Sequence, residues 1–100
     1  MESAYEACLA QELSIRGLDV LVQVPLPIVY EGIQIEIGYR IDLLVENAVV
    51  LELKAIANVL PVHEAQLLSY LRLSGHHVGL LINFHELHLK DGIKRLVNNL

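Results

Sequence analysis

Residues 38–55, GYRIDLLVENAVVLELKA, decide the fold of this 100-residue chain. Two apolar segments of strand character, ending at 45 and beginning at 49, are joined by the short polar sequence Glu46-Asn47-Ala48. Strand-like segments around so short a polar turn predict a β-hairpin. The hairpin is unusual because charged residues interrupt it where a purely structural strand carries Val or Ile, namely Asp42, Glu52 and Lys54.

The register of the hairpin determines whether these charges meet. Side chains two apart on a strand share a face, so Glu52 and Lys54 project together. If the loop has three residues, Val45 faces Val49 and Asp42 lies opposite Glu52, with Cβ atoms about 4.5–5.5 Å apart. A slip of one residue would send Asp42 to the other face of the sheet. In the first register, two carboxylates converge beside a lysine.

Converging carboxylates require a compensating cation, because like charges directly opposite each other are destabilising. Lys54 is one candidate and a divalent metal is the other. Carboxylate oxygens suit Mg²⁺ or Mn²⁺, and a metal-bound water can become a nucleophile. Spacing alone favours a simpler interpretation, a solvated and salt-bridged strand face. The apolar residues on either side leave little polar face, however, and unpaired charges in a buried strand are costly.

Composition bounds the class of protein. One hundred residues predict a single domain spanning 1–100. The net charge of −5 argues against nonspecific coating of nucleic acid, which needs clustered Lys and Arg, but allows an enzyme that contacts a few phosphates through a metal. The chain is 54% hydrophobic, yet no apolar run approaches the roughly 20 residues of a membrane helix. We therefore expect no membrane association, a buried sheet and a homodimer interface.

The N-terminal sequence and the cysteine content indicate a compartment. The first ten residues, MESAYEACLA, show neither the basic region nor the cleavage site of a secretory signal. A single cysteine, Cys8, cannot form an internal disulfide, and we expect it to be buried as a small hydrophobic residue. Both features predict a cytoplasmic protein.

The remaining sequence predicts an α/β fold. Helical spacing runs over 2–16 and from Pro61 to a stop at Gly75, and a short helix is expected over 90–100. Strand character runs over 19–30, 33–45, 49–55 and 77–84. The predicted order is αβββαβα, a mixed four-stranded sheet with flanking helices.

The triplet Asp42…Glu52-Leu53-Lys54 within this element order resembles the PD-(D/E)XK nuclease superfamily. Further blocks resemble its GxxExxY group of bacterial and archaeal proteins, in order along nearly the whole chain: ESAYEACLAQEL, VPLPIVYEGIQIEIGYRIDLLVENAVVLELKA, LPVHEAQLLSYLRLSG, VGLLINF and LKDGIKRLVN. The resemblance implies a restriction endonuclease-like core. It also implies hydrolysis of DNA phosphodiester bonds with Mg²⁺ or Mn²⁺ as cofactor.

The resemblance assigns roles to the hairpin residues. Asp42 and Glu52 are implied to ligate the metal together with the backbone carbonyl of Leu53. Lys54 is implied to orient or help deprotonate the attacking water and to offset charge in the transition state. Both roles agree with elementary chemistry, since a metal lowers the pKa of its water and a fixed cation stabilises developing negative charge.

Two further motifs extend the resemblance. Glu2 and Tyr5 match the Glu and Tyr of the GxxExxY signature, whose Gly would precede Met1, and the Glu is implied to complete the metal shell directly or through water. Gln66 and Tyr70 resemble the QxxxY motif of RecB-like exonucleases, which is implied to contact substrate or position the site. A surface Glu at a helix start is favoured by the macrodipole in any case, and aromatic residues at helical spacing are mostly core.

The alternative to a nuclease is a non-catalytic module. In that interpretation the nuclease fold carries no hydrolysis, and its high apolar content serves oligomerisation or regulation. A small-molecule phosphoryl hydrolase is a third possibility.

Overall fold

The structure is a computed structural model, and it describes residues 1–35 and 38–99. It is a mixed α/β fold. Its two α-helices are α1 (Glu2–Ile15) and α2 (Pro61–Ser74). Its strands are β1 (Val20–Pro25), β2 (Ile28–Tyr30), β3 (Ile33–Ile35), β4 (Arg40–Val45), β5 (Val49–Lys54), β6 (Val78–Asn83) and β7 (Ile93–Val97).

Five strands form one mixed sheet in the order β1-β4-β5-β6-β7, and β2 and β3 form a separate two-stranded hairpin. Within the large sheet only β5 and β6 are parallel. Parallel neighbours need a long crossover connection, which α2 provides. The two helices pack on separate core clusters, α2 through Leu67, Tyr70 and Leu71 and α1 through Leu9, Ala10 and Leu13.

The β4–β5 hairpin has the first of the two registers considered above. Val45 pairs with Val49, and the ladder continues to the pair Leu43–Leu51. The Ala48 N–H donates to the Val45 carbonyl at 3.0 Å, and Glu46 and Asn47 have φ values of 55° and 51°. Both residues thus have left-handed backbone conformations, which Asn adopts more readily than most residues. Of the two registers that the sequence left open, the structure therefore has the one with a three-residue loop.

Both main helices are where the sequence places them. Helix α2 begins at Pro61, whose missing N–H costs nothing in the first turn. It ends at Gly75, which has a φ of 75° and donates its N–H to the Leu71 carbonyl at 2.9 Å. This left-handed cap is the conformation in which glycine is favoured.

The predicted four-stranded sheet and αβββαβα order are wrong in three respects. The strand expected over 19–30 breaks at Pro25-Leu26-Pro27, because prolines cannot donate to a ladder. The strand expected over 33–45 is divided into β3 and β4, and residues 36 and 37 lie outside the described part.

The third error is the last element. The helix expected over 90–100 is a 3₁₀ turn (Leu89–Gly92) followed by β7, and residue 100 lies outside the described part. β7 pairs antiparallel with β6 from Ile93–Ile82 to Val97–Val78. A buried strand such as β6 needs partners for its backbone groups on both edges, and this tertiary demand outweighs the local helical pattern.

The structure also shows the exposure of Cys8 and the length and apolar character of the helices. Cys8 is exposed on α1, so the expectation of a buried thiol is wrong. Within residues 1–35 and 38–99, neither helix is long and apolar enough to cross a bilayer.

Candidate active site

The candidate site lies where β4 and β5 separate. Beyond the pair Leu43–Leu51, side chains replace the backbone ladder between the two strands. The Asp42 N–H donates to Glu52 Oε1 at 3.2 Å, and the Leu53 N–H donates to Asp42 Oδ2 at 2.8 Å. Each carboxylate thus binds an amide of the opposite strand, and the two acidic groups are held side by side.

Burial makes this pair electrostatically unfavourable when both groups are ionised. Glu52 is 5% exposed and Asp42 is half-buried. Desolvation, followed by the neighbouring Asp42 charge, raises the pKa of Glu52 from 4.5 to about 8. The Asp42 N–H and the Lys54 charge oppose this shift but do not cancel it. Without a further cation, the pair therefore retains a proton near neutral pH.

Lys54 stands at the end of β5 on the same strand face as Glu52. It is half-buried and aligns with Asn83 in the parallel ladder. Within the described part of the chain, its ammonium group makes no hydrogen bond or ion pair. Its effect on Glu52 is purely through space, so the ammonium is available for another ligand.

Two residues that sequence analysis missed connect Asp42 to α1. Gln23 Nε2 donates to Glu6 Oε2 at 2.8 Å and to Asp42 Oδ1 at 3.3 Å. Gln23 has a φ of 53°, a left-handed conformation inside β1, and the β1–β4 register skips it. Irregular strand positions of this kind often re-aim a side chain next to a functional site. The only sequence signal was that Glu6 lies one turn after Glu2 on the same helix face.

Glu2 is near the site but is not joined to Asp42. Its Oε2 accepts the Ala55 N–H at 3.3 Å, directly after Lys54. The Tyr5 ring stacks on Phe84 with centroids 4.4 Å apart and an interplanar angle of 6°, which anchors this end of α1. The first turns of α1 therefore approach the site at two points, Ala55 through Glu2 and Gln23 through Glu6.

Asn83 was also missed, and it fixes the backbone just beyond Lys54. It is 1% exposed, its Oδ1 accepts the N–H groups of Ile56 and His85, and its Nδ2 donates to the Ile56 carbonyl at 2.8 Å. Such a fully bonded buried amide restrains the chain on both sides. A lone Asn at a strand end gives no sequence signal for this role.

Comparison with known proteins identifies the family of the chain. The model of the PD-(D/E)XK nuclease superfamily matches residues 1–96. The chain belongs to the PD-(D/E)XK nuclease superfamily. A crystal structure titled "Crystal structure of SSO0001" has the same fold, with a TM-score of 0.70 and 22% identity over 99% of this chain. The chain spans 51% of that structure's length. No curated protein matches the sequence.

The PD-(D/E)XK nucleases generally use divalent metals, and the donor groups of this chain fit one. In the described residues, no three His, Cys, Asp or Glu side chains converge on one point. Asp42 and Glu52 supply two carboxylates, and Mg²⁺ commonly takes one or two carboxylates and keeps several waters. The N–H and C=O of a strand residue point toward the same neighbour. The Leu53 carbonyl therefore faces the side on which Asp42 accepts the Leu53 N–H.

The Gln66–Tyr70 pair lies on α2, beside the candidate site. Gln66 Nε2 donates to the Tyr70 hydroxyl at 3.0 Å. Tyr70 is 5% exposed and packs in the core cluster that contains Ile41, the neighbour of Asp42. Desolvation, then the charge of Glu52, raises the pKa of Tyr70, so the phenol stays protonated. Tyr70 is thus a core aromatic whose ring adjoins the acidic pair, while Gln66 is exposed.

Proposed function

We propose that the protein is a divalent-metal-dependent nuclease that hydrolyses DNA phosphodiester bonds. Asp42, Glu52 and the Leu53 carbonyl bind Mg²⁺ or Mn²⁺ in this proposal, and Lys54 acts on the attacking water. The observation that carries it is the reciprocal bonding of Asp42 and Glu52 at the separated strand ends, with Glu52 buried. A structural role alone does not account for a buried Glu52 held beside a half-buried Asp42 at a cost in free energy.

Each residue has a defined part in the reaction. The Leu53 N–H fixes Asp42 Oδ2, and the Asp42 N–H fixes Glu52 Oε1, so both acids are oriented before a ligand arrives. The metal, when bound, supplies a water of lowered pKa and a Lewis acid for the phosphate. The unpaired Lys54 ammonium would orient the attacking water, whose oxygen forms the new bond to phosphorus, and would offset negative charge as the bond to the leaving sugar oxygen breaks.

The carboxylates of α1 that approach the site are candidates for a further metal ligand. We infer that Glu2 is an additional metal ligand, directly or through water, as the resemblance of the first helix implies. Glu6 competes for this role, because only Glu6 is joined to Asp42 through Gln23. Membership of the GxxExxY group and the RecB-like role of Gln66 and Tyr70 belong to the same proposal.

The test is cleavage of DNA by the purified protein with Mg²⁺, Mn²⁺ or a chelator. Supercoiled plasmid and a labelled single-stranded oligonucleotide serve as substrates, so that nicking and shortening are both detected. Asp42→Asn keeps the shape of the site but removes one carboxylate charge, and Asp91→Asn makes the same change at an exposed position away from it. Metal-dependent products from wild type and Asp91→Asn, but not from Asp42→Asn, support the proposal. Absence of products from wild type with both metals contradicts it.

A non-catalytic interaction module is the second candidate, and the β2–β3 hairpin favours it. The cross-strand pairs Ile28–Ile35 and Tyr30–Ile33 form a mainly apolar face, with Tyr30 and Ile33 each 65% exposed. Apart from their pairing with each other, β2 and β3 make only sparse contacts with the helices and with the other strands. Isolated two-stranded hairpins are at best marginally stable in water, and symmetric dimers are the commonest oligomers.

The interaction-module candidate predicts a homodimer through this hairpin face. Multi-angle light scattering of wild type and Tyr30→Ala tests it. A dimer that Tyr30→Ala converts to a monomer supports the interface, and a monomeric wild type at all concentrations contradicts it.

A further inference from the structure

A cavity of about 640 Å³ opens between α2 and the chain entering β4, beside the candidate active site. Its walls are mostly apolar, and polar groups lie at a few positions. The lining includes Tyr39, His63, Gln66 and Arg72. Ligand pockets of this size and mixed character hold small organic groups.

The cavity presents an aromatic ring at its mouth. Tyr39 is 41% exposed, and its ring centroid lies 5.8 Å from that of the buried Tyr70, with the planes inclined at 46°. Tyr70 holds one side of the Tyr39 ring, and Tyr39 lines the cavity. A supported but solvent-accessible tyrosine is the type of surface on which unpaired nucleobases stack.

Polar groups accompany the ring. Gln66 commits an amide N–H to Tyr70 and so presents its carbonyl oxygen as an acceptor. His63 accepts the Leu60 N–H through Nδ1, which leaves Nε2 for a ligand. Arg72 is exposed and makes no ion pair within the described residues, although the chain carries a net charge of −5. An unpaired guanidinium at the rim of a mainly apolar cavity complements a phosphate.

The cavity lies within one or two nucleotides of the acidic pair. Tyr39 precedes Asp42 by three residues, and an extended strand advances about 3.3 Å per residue, so their Cα atoms are roughly 10 Å apart. Tyr70 touches both regions, because it contacts Tyr39 and packs with Ile41. A nucleotide strand whose phosphate lies at Asp42 and Glu52 can therefore place a neighbouring base at Tyr39.

We propose that this cavity binds an unstacked nucleobase of a single-stranded DNA substrate, with the base on Tyr39, its edge at Gln66 and a flanking phosphate at Arg72. The proposal rests on the proposed nuclease function and adds strand preference to it. A base inside a duplex is stacked on both faces and paired along its edge, so it reaches such a cavity only at the cost of leaving the helix. The predicted substrate is therefore single-stranded DNA or an unpaired end.

The experiment measures binding of a fluorescein-labelled 12-nucleotide oligo-dT and of a hairpin duplex, by anisotropy at fixed salt and Mg²⁺. All proteins carry Lys54→Ala to prevent cleavage. Tyr39→Ala removes the stacking ring, and Leu87→Ala is the control because Leu87 is a large exposed apolar side chain that neither lines the cavity nor belongs to the β2–β3 hairpin face. Arg72→Gln is compared with Arg95→Gln, an exposed arginine on β7.

The expected result is binding of oligo-dT at least fivefold tighter than of duplex. Tyr39→Ala should weaken oligo-dT binding by about tenfold, in line with one lost stacking contact. Arg72→Gln should weaken it by severalfold, while both controls stay within twofold. Equal binding of duplex, or an unchanged affinity in Tyr39→Ala, overturns the inference. If the protein that keeps Lys54 still cleaves DNA in a metal-dependent manner, the nuclease proposal stands even when the nucleobase proposal has failed. Failure of the one proposal is therefore distinguishable from failure of the other.

A second copy of the chain is the competing occupant of the cavity. Light scattering of Tyr39→Ala without DNA distinguishes a second copy of the chain from a nucleobase as the occupant. If Tyr39→Ala dissociates a dimer that Tyr30→Ala leaves intact, the cavity is a subunit interface and the nucleobase proposal is overturned. An oligomeric state that does not depend on Tyr39 supports it.

Discussion

Asp42 and Glu52 are joined through backbone amides, since Glu52 Oε1 accepts the Asp42 N–H at 3.2 Å and Asp42 Oδ2 accepts the Leu53 N–H at 2.8 Å. The two hydrogen bonds replace the ladder that would otherwise continue from Leu43–Leu51. The end of the hairpin is therefore held by the same oxygens that are proposed to bind a metal. The stability of this end of the hairpin and its affinity for a metal are therefore coupled.

Metal binding should stabilise the fold. A ligand that binds only the folded state stabilises it by RT ln(1 + [L]/Kd), roughly 2.7 kcal/mol at a hundredfold excess over Kd. In a domain of this size each kcal/mol raises Tm by about 4–8 °C. We expect Mg²⁺ or Mn²⁺ to raise Tm, and Asp42→Asn with Glu52→Gln to abolish the rise. Glu12→Gln, which neutralises an exposed carboxylate paired with Arg16, should keep it. Equal shifts in all variants would place the metal elsewhere.

Stability without metal should fall as pH rises because of Glu52. Its pKa is raised from 4.5 to about 8, so between these values the folded chain retains a proton that the unfolded chain has lost. This contribution is complete below pH 4.5 and is lost as pH rises toward 8, by up to about 1.4 kcal/mol per pH unit. Urea unfolding in chelator should therefore show a smaller decline with pH in Glu52→Gln than in wild type. Parallel pH profiles would contradict the shift.

Metal affinity should show the opposite pH dependence. A carboxylate must lose its proton to bind a metal, so binding at Glu52 releases a proton and strengthens with pH. The Mg²⁺-induced rise in Tm should be larger at pH 8 than at pH 6. Calorimetry in two buffers of different ionisation enthalpy measures the released proton directly. Release of no proton at pH 7 would exclude Glu52 as the ligand that titrates.

Lys54 should affect cleavage without affecting metal binding. Lys54→Ala removes the cation aimed at the reacting phosphate, and loss of one such group costs roughly 10²–10³ in rate. The variant should keep the metal-induced rise in Tm, because the carboxylates remain. Lys90→Ala, at an exposed position in the 3₁₀ turn, should cleave like wild type. If Lys54→Ala lost the Tm shift as well, the lysine would be needed for the structure of the site.

Gln23 should strengthen metal binding through the hydrogen bond that it donates to Asp42. Its amide holds Asp42 Oδ1 and Glu6 together, and loss of an outer partner commonly costs 10- to 100-fold in metal affinity. Gln23→Ala keeps a Cβ, so the left-handed backbone at this position is equally strained in both proteins. Titration of Mn²⁺ monitored by electron paramagnetic resonance compares Gln23→Ala with Gln11→Ala, an exposed position on α1. Equal affinities would show that the bridge does not orient Asp42.

The hairpin was predictable because its information is local. The loop Glu46-Asn47-Ala48 and the apolar strands around it indicate a hairpin within a dozen residues. The sequence left two registers open, and the structure has the one that brings Asp42 to Glu52. The role of Gln23 was not predictable, since its partners are 17 and 19 residues away. The helix predicted for the C-terminal segment was wrong for the same physical reason, namely dependence on distant contacts. Its strand conformation depends on pairing with β6, and its own sequence favours a helix.

The exposure of Cys8 has a practical consequence. It is the only thiol in the sequence and lies on α1, the helix that carries Glu2 and Glu6. A maleimide fluorophore or nitroxide can therefore be attached at one known position without engineering. Any shift of that helix as a cation or an oligonucleotide arrives could then be followed in the wild-type polypeptide.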